Sequence, residues 1–391
     1  PYQYVWQEQP TALTDQWQQV AFTFTPASYA VVRVAPVIEI EGPQAVAVLD
    51  DADLQIARQA QGRIVASPYA MVRPGATLAA DWQVEREGQP AALPVLVIKR
   101  TTAGTTTEAA TSDAQGRLHL SLQAPDAPEL VRVDVVQRDL GATATLYLDV
   151  VPEALLNQFA AAAEQAKVGA LPQHWLFFGD SLTDFSRGFN YVDQVGWWLR
   201  SCHGKDFTVR NAGVGGDYIT RSLDRLHGKA GTYRLEAYDG IFDPKPTRVF
   251  MMLGHNDSKL TSGSGFTAPV VKPEDYKSQF AEFIAKVKEK CGAPFTLLSP
   301  TSSVYEITKA NADKAVAAGR GASLFGKPEV MEQFTKLTQE VATATGSDYV
   351  DVFTPTRDWP NKPTLFTADG VHLSLEGNHV LALEILKHLG K

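Results

Sequence analysis

The sequence predicts an α/β protein, a doubly wound five-stranded parallel sheet, preceded by an all-β sandwich region. Three observations predict it. From His174 onward, short apolar runs alternate with stretches of helical periodicity, the pattern of successive βα units. Before residue 152, strand-like runs follow one another with only Pro, Gly and Asp turns between them. An Ala/Glu/Gln-rich stretch at 152–167 separates the two textures. The expected boundaries are 1–67 for a β-rich segment, 68–151 for a β-sandwich, 152–172 for a connecting helix and linker, and 173–391 for the α/β domain.

In the first segment, residues 19–25 alternate polar and apolar side chains, and 30–34, 37–40 and 45–49 are β-rich. In the second, strands are expected at 93–98, 118–122, 130–135 and 144–151, with turn signals such as 113–116 between them. Pro152 suits an early helical position, and Gly169 and Pro172 end that helix.

The α/β part opens with Trp175 to Phe178, four apolar residues that read as a fully buried strand. Val192, Val195, Trp198, Leu199 and Cys202 then recur at helical spacing. Further strands are expected at 207–210, 247–253, 295–298 and 349–353. A helix is expected over 273–290, with Phe280, Phe283, Ile284 and Val287 on one face. A helical region ends in 330–343, and a closing helix spans 375–389. Crossovers between parallel strands are right-handed.

Composition excludes several functions. With 391 residues the chain has room for two or three domains. Hydrophobic residues are 44 % and charged residues 20 %, ordinary for a globular protein. The net charge of −8, with no long Lys/Arg run, argues against a nucleic-acid partner. No apolar run approaches the length of a membrane span. The two cysteines, Cys202 and Cys291, have no CxxC spacing, and neither a metal nor a cofactor is expected. The strand-like start at Pro1 reads as a processed or trimmed N-terminus, and a secreted or periplasmic location is expected.

Four stretches fall where strands end or the last helix begins. They are Gly179-Asp-Ser-Leu182, Asn211-Ala-Gly-Val-Gly-Gly-Asp217, Gly254-His-Asn-Asp257 and Asp369-Gly-Val-His372. Carboxyl ends of parallel strands converge on one crevice, so these stretches can meet. Acyl transfer needs a nucleophile, a base, a group that orients the base, and donors for the oxyanion. Ser181 can be the nucleophile and His372 the base. Asp369 can accept from the other imidazole nitrogen. Gly216 can offer a backbone N–H at close approach, Asn256 a side-chain N–H₂, and Ser181 its own N–H. Gly215 is the alternative glycine of the second stretch.

With all four blocks in order, residues 174–391 resemble the SGNH hydrolases, the GDSL esterase/lipase superfamily. That resemblance implies a flavodoxin-like strand order 2-1-3-4-5. It implies Ser181, Gly216, Asn256 and His372 as the four name-giving residues, with Asp369 completing the triad. The Gly-His-Asn-Asp block is similar to rhamnogalacturonan acetylesterases and related carbohydrate esterases. Residues 17–54 resemble the closing half of a carbohydrate-binding jelly roll, and the next segment an immunoglobulin-like domain, which reads more simply as a spacer. The implied activity is a serine esterase removing acetyl groups from an acylated carbohydrate. Three alternatives stand: an O-acyltransferase with the same triad, a lipid or aryl esterase, and a carbohydrate-binding protein with an inactive hydrolase domain.

Further residues have weaker claims. His255 and Asp217 are candidate substrate contacts, and Trp359 and Phe366 could stack on a sugar face or pack against the sheet edge. Asp180 is expected to tie neighbouring loops together. Residues 261–266 form a Gly/Ser-rich candidate lid. Asn256-Asp-Ser258 is formally a glycosylation sequon, but inside the crevice it is discounted. The implied strand order puts Cys202 and Cys291 on opposite faces of the sheet, predicting two free, largely buried thiols.

Overall fold

Residues of one strand face inward at every second position, and Val131, Val133 and Val135, all fully buried, show that period in the N-terminal part of the protein. The computed structural model describes residues 62–391. The expected strands before residue 62, and the jelly-roll resemblance at 17–54, lie outside the described residues. The chain divides into two compact units, the second beginning at Glu153.

The first unit's described strands are β1 (Gly62–Val65), β2 (Tyr69–Val72), β3 (Thr77–Arg86), β4 (Gln89–Pro90), β5 (Pro94–Thr101), β6 (Gly104–Thr111), β7 (Arg117–Gln123), β8 (Glu129–Gln137) and β9 (Ala142–Val150). One sheet runs β1-β3-β4 with β7 also on β3, and the other runs β2-β9-β8-β5-β6. All pairs are antiparallel except β2 with β9. Trp82, Val84, Leu118 and Leu122 are buried from the first sheet, and Val95, Val97, Leu146 and Leu148 from the second.

The second unit opens with α1 (Glu153–Gln165), followed by β10 (Gln173–Gly179), α2 (Tyr191–His203), β11 (Phe207–Gly213), α3 (Ile219–Leu226), β12 (Arg248–Met252) and α4 (His255–Ser258). Then come β13 (Leu260–Thr261), α5 (Pro273–Cys291), β14 (Phe295–Leu298), α6 (Tyr305–Ala317), β15 (Ser323–Leu324), α7 (Pro328–Thr345), β16 (Asp348–Val350), α8 (Phe353–Arg357) and α9 (Leu375–Leu389). The five-stranded sheet has the order β11-β10-β12-β14-β16, and every pair is parallel. This is the doubly wound parallel sheet that the sequence pattern predicted, with the 2-1-3-4-5 order that the resemblance implied.

β10 is an interior strand, paired with β11 and β12, and both faces of its apolar run are covered. Leu176 and Phe178 point into a core with Ile219 and Leu223 of α3, Phe280 and Phe283 of α5, and Phe334 of α7. On the other face Phe177 stacks on Phe250 at 4.6 Å and meets Tyr191 of α2 edge-on at 6.3 Å. There α1, α2 and α9 pack on one another.

Three expectations change here. The helix read as a connector packs inside the second unit, because Phe159 of α1 is buried against Trp198 at 5.8 Å and His379 at 6.0 Å. The fifth strand is shorter than 349–353: the N–H groups of Val352 and Phe353 both donate to Ser299 Oγ, at 2.9 and 2.8 Å, and this turns the chain into α8. Both cysteines are free, and Cys291 is buried, but Cys202 is exposed because burial on its face of α2 ends at Leu199.

Candidate active site

The first block is a tight turn off the end of β10. The N–H groups of Thr183 and Asp184 donate to the Asp180 carbonyl, and Leu182 N–H donates to Asp180 Oδ1 at 3.0 Å. Gly179 has no substitute here, since a Cβ would lie 2.1 Å from Thr183 Oγ1. The turn leaves Ser181 partly exposed between buried Asp180 and Leu182.

The second block docks on the first through Asp184, a residue to which sequence reasoning gave no role. Its buried Oδ2 accepts Gly215 N–H at 2.7 Å and Arg234 Nη1 at 2.6 Å. The Gly215 N–H is therefore committed. Gly216 follows at φ +79°, and among the described residues its N–H meets no acceptor. That distinguishes the two candidate glycines.

The third block is the single turn α4. Gly254 precedes it at φ +132°, against Pro300, where a Cβ would come within 2.9 Å of Cγ. Asn256 is 5 % exposed. Beneath it Asp257 is fully buried, accepting Ile219 N–H at 2.8 Å. Burial, followed by the nearby charge of Asp180, pushes its carboxyl up to about 7 against the Ile219 bond.

The fourth block is a hydrogen-bonded turn around Asp369. Oδ1 accepts the N–H of Val371 at 2.8 Å, that of His372 at 2.9 Å and Thr367 Oγ1 at 2.9 Å. Oδ2 lies 2.5 Å from His372 Nδ1, and His372 Nε2 lies 2.9 Å from Ser181 Oγ. A carboxylate only accepts, so Nδ1 carries the proton and Nε2 is left to accept from the serine. Partial burial opposes the Asp369 charge. The bonds from the His372 ring and from two N–H groups outweigh it, and hold the carboxyl well below the usual carboxylate range.

Ser181, Gly216 and Asn256 thus follow the ends of β10, β11 and β12, Asp369 and His372 precede α9, and a continuous hydrogen-bonded line runs through Ser181, His372 and Asp369. Among the described residues the Ser181 N–H meets no acceptor, nor does Asn256 Nδ2. Such an arrangement can activate a hydroxyl and receive a developing oxyanion.

The weaker candidates do not join it. Asp217 is fully buried and paired with Arg225, which donates from Nη1 and Nη2. His255 is 1 % exposed, its Nε2 lies 3.0 Å from Thr301 Oγ1, and its Nδ1 lies 3.7 Å from Asp180 Oδ2. Phe366 is buried with Val304, Leu365 and Val380, and Trp359 packs on that cluster while donating to Glu376 Oε1 at 3.1 Å. Asp217, His255 and Phe366 are held by the interior, and Trp359 is partly exposed beside its cluster.

Nor are residues 261–266 a free lid. Thr261 pairs with Ser323, Ser262 N–H donates to the Ala322 carbonyl, and Phe266 packs on Leu260 and Leu324. Among the described residues no group of three His, Cys, Asp or Glu is arranged to hold a metal, and no helix is long and apolar enough to cross a membrane.

The model of the GDSL-like Lipase/Acylhydrolase family matches residues 177–380, just over half the chain. The chain belongs to that family, whose chemistry is carboxylic ester hydrolysis. Comparison with curated proteins finds no match. Solved structures similar to this chain include a lipase/acylhydrolase from Enterococcus faecalis. It is 19 % identical with a TM-score of 0.42, over 56 % of this chain and 95 % of that one. An alpha/beta hydrolase enzyme from the metagenome of Lake Arreo is 22 % identical with a TM-score of 0.41, over 57 % and 97 %. A carbohydrate acetylesterase from Xanthomonas citri is 12 % identical with a TM-score of 0.35, over 81 % and 72 %.

Proposed function

We propose that the chain is a serine esterase that hydrolyses O-acetyl esters on a carbohydrate, with Ser181, His372 and Asp369 as its triad. The hydrogen-bonded line from Ser181 Oγ through the imidazole to Asp369 is the observation that carries the triad. Asp369 fixes the imidazole with its proton on Nδ1. Nε2 takes the Ser181 proton as Oγ attacks the acyl carbon. The carbonyl oxygen gains the charge and is received by the N–H groups of Ser181 and Gly216 and by Asn256 Nδ2. His372 then gives its proton to the leaving alcohol oxygen. Water repeats the sequence on the acyl-enzyme and regenerates the free serine.

The carbohydrate substrate draws its support from the Gly254-His-Asn-Asp257 block, which is similar to that of carbohydrate acetylesterases. A secreted or periplasmic location belongs to the same proposal, since acetylated polysaccharide lies outside the cytoplasm.

The test is acetate release from a panel of acetylated glycans, with p-nitrophenyl acetate as the common substrate. Ser181→Ala is expected to lower turnover of both by about 10⁴-fold or more at unchanged thermal stability. Near-native turnover by that variant overturns the triad. Turnover of p-nitrophenyl acetate with no acetate from any glycan overturns the carbohydrate assignment alone.

A further inference from the structure

We propose that Lys259 is a positioning residue that sets which way the Asn256 amide faces, so that its N–H₂ points to the oxyanion. This rests on the oxyanion role of Asn256 proposed above.

Lys259 directly follows α4. Its root is pinned, because its carbonyl accepts Val270 N–H at 3.1 Å. Its ammonium sits 5.6 Å from the centre of the Phe325 ring and is partly buried. Among the described residues it forms no ion pair with a carboxylate. Instead Nζ donates to Asn256 Oδ1 at 3.3 Å.

The chemistry of the two ends makes this bond informative. The oxygen and nitrogen of an amide are nearly the same size, and the terminal torsion of asparagine has two broad, almost equivalent positions. In one, the N–H₂ meets the developing oxyanion. In the other, Oδ1 meets it and repels it. An ammonium has three donors and no acceptor, so it tolerates only the oxygen of the amide. By holding Oδ1, Lys259 turns Nδ2 to the opposite side of the Cβ–Cγ axis. The nearby cation also polarises the amide, making its N–H a better donor to an anion. The oxyanion exists only in the transition state, so loss of this control should appear in kcat and not in KM.

The experiment is a double-mutant cycle on p-nitrophenyl acetate with Lys259→Met, Asn256→Ala and the pair. Asn256→Ala is expected to lower kcat by about 10²–10³-fold. Lys259→Met is expected to lower kcat by about tenfold with KM within about twofold, the size of one charge-assisted hydrogen bond. In the Asn256→Ala background the same change should alter kcat by less than about twofold, since no amide is left to orient. An equal loss with and without Asn256 overturns the assignment, as does a change in KM alone. Lys259→Arg keeps a donor-only cation and decides the matter if the methionine variant folds poorly. It should hold kcat within about threefold, and a loss beyond about tenfold overturns the proposal. Failure of the parent reading looks different. Ser181→Ala would stay active, or Asn256→Ala would leave kcat unchanged, and either result removes both proposals together.

Discussion

Asp217 and Asp369 each close or open a sequence block at the mouth of the same sheet, and each is bound to a nitrogen base on its own segment. Their surroundings differ. Asp217 is fully buried, and its two oxygens are used by Arg225 and by Ser222 Oγ at 2.9 Å. The Asp369 side chain is 44 % exposed, and its ring partner is free on the far side to reach Ser181. Arg225 is a permanent cation and ends the chain of contacts, whereas an imidazole has a second nitrogen that passes the influence on. A carboxylate beside a histidine at a surface can serve chemistry. A carboxylate beside a buried arginine serves the fold.

The largest effect that sharpens this contrast is on the rate. Asp369→Asn should lower kcat by about 10³–10⁴-fold, because asparagine can stabilise the wrong imidazole tautomer, with little change in the unfolding midpoint. Kinetics and denaturant unfolding on one preparation check both halves. A drop of less than tenfold breaks the distinction from the catalytic side.

Next comes stability. Asp217→Ala leaves Arg225 buried and unpaired, and should destabilise the second unit by about 3–5 kcal/mol. Urea unfolding followed by tryptophan fluorescence measures it. If the variant unfolds like the native chain while its kcat collapses, Asp217 belongs to the site after all.

A smaller effect concerns Asp257, the third carboxyl of the neighbourhood. Folded, it keeps its proton up to about 7, whereas its unfolded reference is 3.8. Between these values the folded chain binds more protons, so this group's contribution to stability falls as pH rises from about 4 to about 7 and is level above that. Asp257→Asn should remove that part of the slope, a difference of a few kcal/mol at most between pH 4 and pH 8. Parallel pH–stability curves for the two proteins would show that the buried carboxyl does not titrate as stated.

Much of the α/β unit was legible because its signals are local. Apolar runs marked β10, β12 and β14, helical spacing marked α2, α5 and α9, and Gly, Ser, Asn and His at strand ends marked the four blocks. What escaped depends on partners distant in sequence or on short turns. Asp184 acquires its role only when Gly215 and Arg234 are brought to it. Lys259 reads as a surface charge until the one turn of α4 sets it beside Asn256. The role of Asp217 likewise appears only in the structure, where Ser222 and Arg225 lie three apart on α3, both buried, and the buried arginine needs an acid beside it. For His255 and Phe366 the sequence leaves ligand contact and packing both open, because residue type is visible there and depth is not. Residues 261–266 look like a loose Gly/Ser loop, and only their pairing with residues 322–324 shows them to be fastened.

Ser181 and His372 are 191 residues apart in the chain, and the helix beyond the histidine is tied to the segment just after the serine. Asn378 of α9 accepts the N–H of Tyr191 at 2.9 Å, and His379 meets Phe159 of α1. The proposed nucleophile is therefore made early and its proposed base late. While the chain is still being synthesised, the serine has no partner to take its proton and acts as an ordinary alcohol. Esterase activity should appear abruptly, when α9 has left the ribosome and docked between α1 and α2, and a nascent or prematurely released chain should cut nothing.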